Sequence, residues 1–209
     1  MPAEGRITSV LSVRGYCTCG FFMGGIQMHK QRETLRAVCE GAIAIAMAWA
    51  LSYLEIDLWF QGGSIGLTMI PLFLYSMRRG ACWGILAGLA LGSIKYFMAG
   101  GWALSWQSML LDYTVAYALI GLAGIYRGKH KWLISTIIGG TARFLVHYLS
   151  GITIYAELMP ETFWGMPMMS PYIYSALYNG GYIVPSVVIS AAAIWAMSRN
   201  RVVKAFINE

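Results

Sequence analysis

Apolar runs of bilayer-spanning character, separated by short connections, constrain this chain more than any other feature. They fall at Ala37 to Leu54, Gly66 to Met77, Ala81 to Ala99, Trp106 to Tyr126, Trp132 to Tyr155 and Tyr172 to Met197. A helix needs roughly 20 mostly apolar residues to cross the hydrocarbon layer. The composition agrees, with 58% of residues hydrophobic, 11% charged and a mean hydropathy of +0.59, far from the mix of a water-soluble domain. The expected fold is an all-α integral membrane protein, a six-transmembrane-helix bundle in one domain over residues 28–209. The second run is short and contains Pro71, so a tilted or interrupted span is expected there. Residues 1–27 hold only a weak apolar stretch, ITSVLSV, too short for a secretory signal. They are expected to be an extension of no assigned function ahead of a natural start at Met28.

Basic residues alternate between connections. Lys30, Arg32 and Arg36 precede the first run, Arg78 and Arg79 follow the second, Arg127, Lys129 and Lys131 follow the fourth, and Arg199, Arg201 and Lys204 follow the sixth. The other connections carry Glu55, Asp57, Glu157 and Glu161. The positive-inside rule then places both termini of a multi-pass membrane protein in the cytoplasm. The net charge of +6 reports that orientation. Nucleic acid is excluded as a partner, because the basic residues are shared among four short segments instead of one aromatic-bearing face.

Cys17, Cys19, Cys39 and Cys82 form no CxxC pair and have no histidine cluster beside them, so neither a metal site nor a disulfide framework is expected. Cys39 and Cys82 read as buried apolar residues. No Walker A sequence is present; YRGKHK at 126–131 has a Gly-Lys pair without the earlier glycine or the hydroxyl residue.

Ionisable side chains within spans are costly and therefore functional candidates. Five remain once the spans are drawn: Glu40, Lys95, Asp112, Arg143 and His147. Glu40 and Lys95 lie near span ends and need no special role. Asp112 sits about two turns into the fourth span, and Arg143 and His147, four apart, share a face of the fifth. Tyr155 ends the fifth span, and Tyr172, Tyr174, Tyr178 and Asn179 open the sixth. All lie in the outer half, which describes an outward-facing pocket. The bland reading is a buried Asp112–Arg143 ion pair that sets helix register. Separately, Ala42, Ala46 and Ala50 form a small-residue stripe on the first span that fits either internal packing or a partner helix.

Four motifs now carry a resemblance: QGGSIGLTMIPLFLYSMRRG at 61–80, LLDYTVAYALIGLAG at 110–124, ARFLVHYLSGITIY at 142–155 and IYSALYNGGYIVPS at 173–186. Together they resemble the thiamine-specific S-components of energy-coupling factor transporters, from about Glu33 to Phe206. The resemblance implies high-affinity thiamine capture by a non-catalytic subunit without a cofactor, thiamine being the transported ligand. It also implies a transmembrane coupling subunit and two ATPase subunits as partners. Substrate-binding positions carried over are Asp112, Tyr113, Arg143, His147, Tyr155, Tyr174 and Asn179, with Trp59 on a lid-like first connection. Ala42 and Ala46 match the family's docking motif, which extends the partner reading to the stripe with Ala50. Asp112, Arg143 and Tyr155 stand where Glu, Lys and Trp occur in some members.

These residue types suit thiamine, since aromatic faces and an anion favour its thiazolium cation, while Asn179 offers a donor and an acceptor to its aminopyrimidine. Arg143 is expected to be directed at Asp112 and a tyrosine hydroxyl. An S-component for another vitamin would lack the combined Asp, His, Tyr and Asn set. A membrane enzyme would need an activated nucleophile or metal set, and a channel would need polar residues through its full depth.

Overall fold

A computed structural model describes residues 31–58, 62–98, 100 and 103–208. The expectations for residues 1–27 and for Trp59 lie outside those residues. The chain divides into two compact units, Met1–Cys39 and Glu40–Glu209. Described residues of the first are the opening turns of α1 (Gln31–Ser52), and the second holds the elements below.

The described elements are predominantly helical: α2 (Met69–Arg79), α3 (Ala81–Met98), α4 (residues 106–124), α5 (Lys131–Thr153), α6 (Pro171–Ser198) and α7 (Arg201–Asn208). Two short antiparallel hairpins interrupt them, pairing β1 (Ile56–Asp57) with β2 (Ser64–Ile65) and β3 (Thr162–Phe163) with β4 (Met166–Pro167). Three helices, α1, α3 and α6, are long and apolar enough by length and composition to cross a membrane.

α2 is short and lies inside the protein. At 11 residues it rises only about 16 Å, yet Met69, Leu72, Phe73 and Met77 are almost wholly buried at the centre of the core. A helix apolar all round is stable only when covered. Pro71 does not break it, because the proline occupies the first turn, whose amide groups have no intrahelical acceptor anyway.

α3 and α4 meet along a glycine seam. In GILAGLALG, the glycines Gly84, Gly88 and Gly92 recur at four-residue spacing and are buried. A methyl group added at Gly88 would strike the Tyr117 carbonyl, one at Gly92 the Tyr113 carbonyl, and one at Gly84 the Gly121 backbone. Without side chains in the way, the two backbones pack in direct contact.

At the end of the bundle holding the α2 terminus, Glu40 accepts hydrogen bonds from Arg79 Nε (2.6 Å) and Arg78 Nε (3.0 Å). Arg78 also donates to the Phe206 carbonyl (3.0 Å) and lies 4.1 Å from its ring centroid, while Lys131 donates to the Ile207 carbonyl (2.7 Å). Two cations thus satisfy carbonyls in the last turn of α7, which have no helical donors of their own and carry the negative end of its dipole. Glu40 therefore has more than an incidental place. Cys39 and Cys82 are exposed, contrary to the reading of them as buried, since each sits on the outward face of a helix whose apolar surroundings are lipid.

Replacing Gly88 by Val should separate α3 from α4. Overpacking of this kind costs about 1–3 kcal/mol, so the unfolding temperature in detergent is expected to fall by several degrees. Leu86→Val, on the exposed side of α3, should leave it unchanged.

Candidate functional site

A cavity of about 580 Å³ opens between the C-terminal end of α1, the first hairpin and the inner faces of α3 to α6, within the usual range for small-ligand pockets. Eight aromatic side chains line it: Trp49, Tyr53, Tyr113, Tyr117, Tyr155, Tyr174, Tyr178 and Tyr182. All described substrate-site candidates, Asp112, Tyr113, Arg143, His147, Tyr155, Tyr174 and Asn179, line this same space.

α4 brings its acidic residue there through an irregular backbone. Between the α-helical turn Trp106–Ser108 and the α-helical Ala116–Ile120, residues Met109–Val115 form a π-helix, and the chain closes with a 3-10 turn at Gly121–Gly124. π-helical turns widen a helix and often mark functional sites. Asp112 lies in this stretch. Its Oδ2 accepts from Ser108 Oγ (3.1 Å), and that hydroxyl also shares a hydrogen bond with Tyr155 OH (2.6 Å). Its Oδ1 lies 3.4 Å from His147 Nδ1.

His147 stands where a direct Asp112–Arg143 pair was one reading of the sequence. Its Nε2 accepts from Arg143 Nε (3.5 Å), so the ring proton is on Nδ1, facing Asp112, and the imidazole is neutral. Arg143 does reach a tyrosine hydroxyl, that of Tyr117 (3.3 Å), and its guanidinium lies 4.5 Å from the Tyr117 ring centroid. The four-residue spacing on α5 explains the outcome. It stacks the two side chains on one face, with the imidazole next to the carboxylate.

Asn179 ties α6 to α5. Its amide nitrogen donates to the His147 carbonyl (3.2 Å) and the Ser175 carbonyl (3.0 Å), and its oxygen accepts from Tyr182 OH (2.8 Å). Both ends are thus engaged by protein, and the free donor–acceptor edge expected from sequence is used for helix docking. Gly151 allows this approach, because a side chain there would collide with Ser175. Ser150 next to it is buried, and its hydroxyl has no hydrogen-bond partner among the described residues.

Glu55, Lys95 and Tyr117 are lining residues absent from the sequence-based set. Lys95 does not extend to an interface. It is 17% exposed and forms an ion pair with Glu55, itself 14% exposed, at 2.9 Å. Glu55 also accepts from Ser64 Oγ (2.9 Å) and from the Thr68 hydroxyl. Burial pushes the Glu55 carboxyl up, but Lys95 and the two hydroxyls outweigh it and hold the group below its ordinary value. A lone lysine inside a span was the available signal, because such a charge requires a partner. The hairpin that follows Glu55 is fixed at its turn by Tyr178 OH, which donates to the Gly62 carbonyl (2.5 Å). Gly62 and Gly63 both have positive φ, the conformation glycine adopts at no steric cost. On the second hairpin, Phe163 packs edge-on against Tyr174, with centroids 5.3 Å apart.

The alanine stripe faces away from all of this. Ala42, Ala46 and Ala50 are exposed, whereas Gly41, Ala44 and Ala48 are buried, so internal packing uses the other face of α1.

The thiamine transporter protein family (Thia_YuaJ) matches residues 38–205. The chain belongs to that family. It is 34% identical over 148 residues to thiamine transporter ThiT of Bacillus subtilis, covering 64% of this chain and 74% of that protein. It is 27% identical over 186 residues to thiamine transporter ThiT of Lacticaseibacillus paracasei, covering 81% and 88% respectively. A solved structure of ThiT from Listeria monocytogenes has the same fold, with a TM-score of 0.72 at 23% identity over 84% of this chain and 98% of that one. The family members are bacterial membrane transporters and not enzymes, and thiamine is what they carry.

The low carboxyl value of Glu55 has a stability consequence. Its ion pair contributes above the unfolded value of 4.5 and is lost as pH falls through the lower folded value. Melting of Glu55→Gln beside the wild type should show a constant deficit for the variant above about pH 5.5. That gap should close as the buffer is taken below 4.5.

Proposed function

We propose that this chain is the thiamine-binding subunit of an energy-coupling factor importer. It captures thiamine in an outward-facing cavity and delivers it with the help of a transmembrane coupling subunit and two ATPase subunits. Residues 28–209 form the membrane-embedded domain, crossing the bilayer six times with both termini in the cytoplasm. The alternation of basic and acidic connections supports this orientation. So does the gathering of Arg78, Arg79, Lys131 and α7 at the end of the helices away from the cavity.

The observation that carries the ligand assignment is the cavity's combination of one carboxylate beside a neutral imidazole with eight aromatic rings. A permanent organic cation is stabilised over such rings by roughly 0.5 to 2 kcal/mol each, and Asp112 supplies the opposite charge in a partly dehydrated space. Tyr155 and Tyr174 would cover the heterocycles. Asn179, Arg143 and His147 would hold the wall. Nanomolar capture corresponds to about 12 kcal/mol, or roughly 0.7 kcal/mol for each of about 18 ligand heavy atoms, well under the ceiling of about 1.5.

On α1, the exposed stripe of Ala42, Ala46 and Ala50 suits close approach by a helix of the coupling subunit. Ala42→Trp and Ala46→Trp should each reduce recovery of the ATPase subunits in a pull-down while leaving thiamine binding intact. Undiminished recovery would remove the docking role.

Because Trp49 lines the cavity, tryptophan fluorescence reports occupancy. Thiamine should give a saturable change at or below micromolar concentration, and Asp112→Ala should weaken it at least tenfold. A flat titration of the wild-type protein would reject thiamine as the ligand.

A further inference from the structure

The fixed charges around the cavity can be counted. Away from the rim they are Glu55, Lys95, Asp112 and Arg143, with His147 neutral. Asp57 also borders the cavity, but it is exposed on the hairpin, where solvent screens it. The four inner charges sum to zero. Their partners are unequal, however. Asp112 faces a neutral histidine, and Arg143 faces a tyrosine and that same histidine, with no carboxylate within ion-pair distance among the described residues. Glu55 alone forms a direct ion pair with a cation.

Lys95 and Arg143 converge on one ring. Lys95 Nζ lies 5.4 Å and the Arg143 guanidinium 4.5 Å from the Tyr117 centroid. Two cations therefore share a short stretch of wall, with one carboxylate, Glu55, directly against the first of them, Lys95. Neutralise that carboxylate and the inner cavity becomes positive. Within a partly dehydrated site such a change acts over several ångströms, since opposing unit charges are weakly screened there.

We propose that Glu55 is the charge-selectivity residue of the cavity: by neutralising Lys95 it keeps the interior from becoming positive, admitting cationic thiamine and disfavouring its phosphate esters. This rests on the thiamine reading above. Thiamine carries one positive charge, whereas its monophosphate adds a group of about −1.5 to −2 at neutral pH, so the two ligands respond oppositely to a change in cavity charge. A purely mechanical role for Glu55, fastening the first hairpin through Ser64 and Thr68, would affect both ligands alike.

The test uses the full chain purified in detergent, titrated with thiamine and with thiamine monophosphate by tryptophan fluorescence. It compares the wild type with Glu55→Gln, Lys95→Gln and the double variant. The ratio of monophosphate Kd to thiamine Kd is the readout, because it cancels any common loss of affinity. It should fall by about tenfold or more in Glu55→Gln, rise in Lys95→Gln, and return to near the wild-type value when both are changed. A ratio within twofold of wild type in both single variants would overturn the inference while leaving thiamine capture standing. Failure of the wild type to bind either ligand would instead overturn the thiamine reading, and this inference with it.

Discussion

Backbone contact between α3 and α4 is the constraint on which the site depends. At Gly88 and Gly92 of α3 no side chain intervenes, so the Tyr117 and Tyr113 carbonyls of α4 rest directly on the neighbouring helix. Lipid supplies no hydrophobic drive for helix association, and close van der Waals packing has to do that work. The seam also fixes which way α4 turns its residues. With Tyr113 and Tyr117 pinned by their backbones, the π-helical stretch directs Asp112 toward α5, and the Tyr117 ring lies between groups of α3 and α5.

From that seam, polar contacts continue around the cavity as a connected series. Glu55 pairs with Lys95, Lys95 and Arg143 lie against Tyr117, Arg143 donates to His147, and His147 faces Asp112. Asn179 joins it by holding the His147 carbonyl. Each buried polar group is costly alone and tolerable once satisfied. The consequence for a ligand is a preformed wall, with little side-chain ordering left to be done on binding. Ser150 differs, since its buried hydroxyl has no hydrogen-bond partner among the described residues.

The helical membrane character and the members of the cavity were legible because both depend on local pattern. Apolar run length gave the helices, and ionisable residues inside those runs gave Asp112, Arg143 and His147. What sequence could not supply was pairing between elements. Asp112 with Arg143 and Asp112 with His147 are equally consistent with the spacing on α5, and only the orientation of α4 decides for histidine. Glu55 looked like one more acidic loop residue, because its partner lies 40 positions away on α3. α2 was short for a span in the sequence and is short in the structure, but Pro71 is not the reason. The helix ends at Gly80, whose φ of 91° is a conformation that glycine adopts at no steric cost.

The two ends of the bundle impose different demands on α1. Toward its C-terminus, Trp49 and Ser52 line the cavity, and Glu55 follows immediately; twelve residues back from Ser52, near the other end of the unit, Glu40 binds Arg78 and Arg79. About 18 Å of helix separates Glu40 from Ser52. Both attachments are ionic, one to α3 by Lys95 and one to α2 by the two arginines, and between them Gly41, Ala44, Ile45 and Ala48 pack inward. The cavity and the two arginines thus meet the same element, whose outward face carries the alanine stripe.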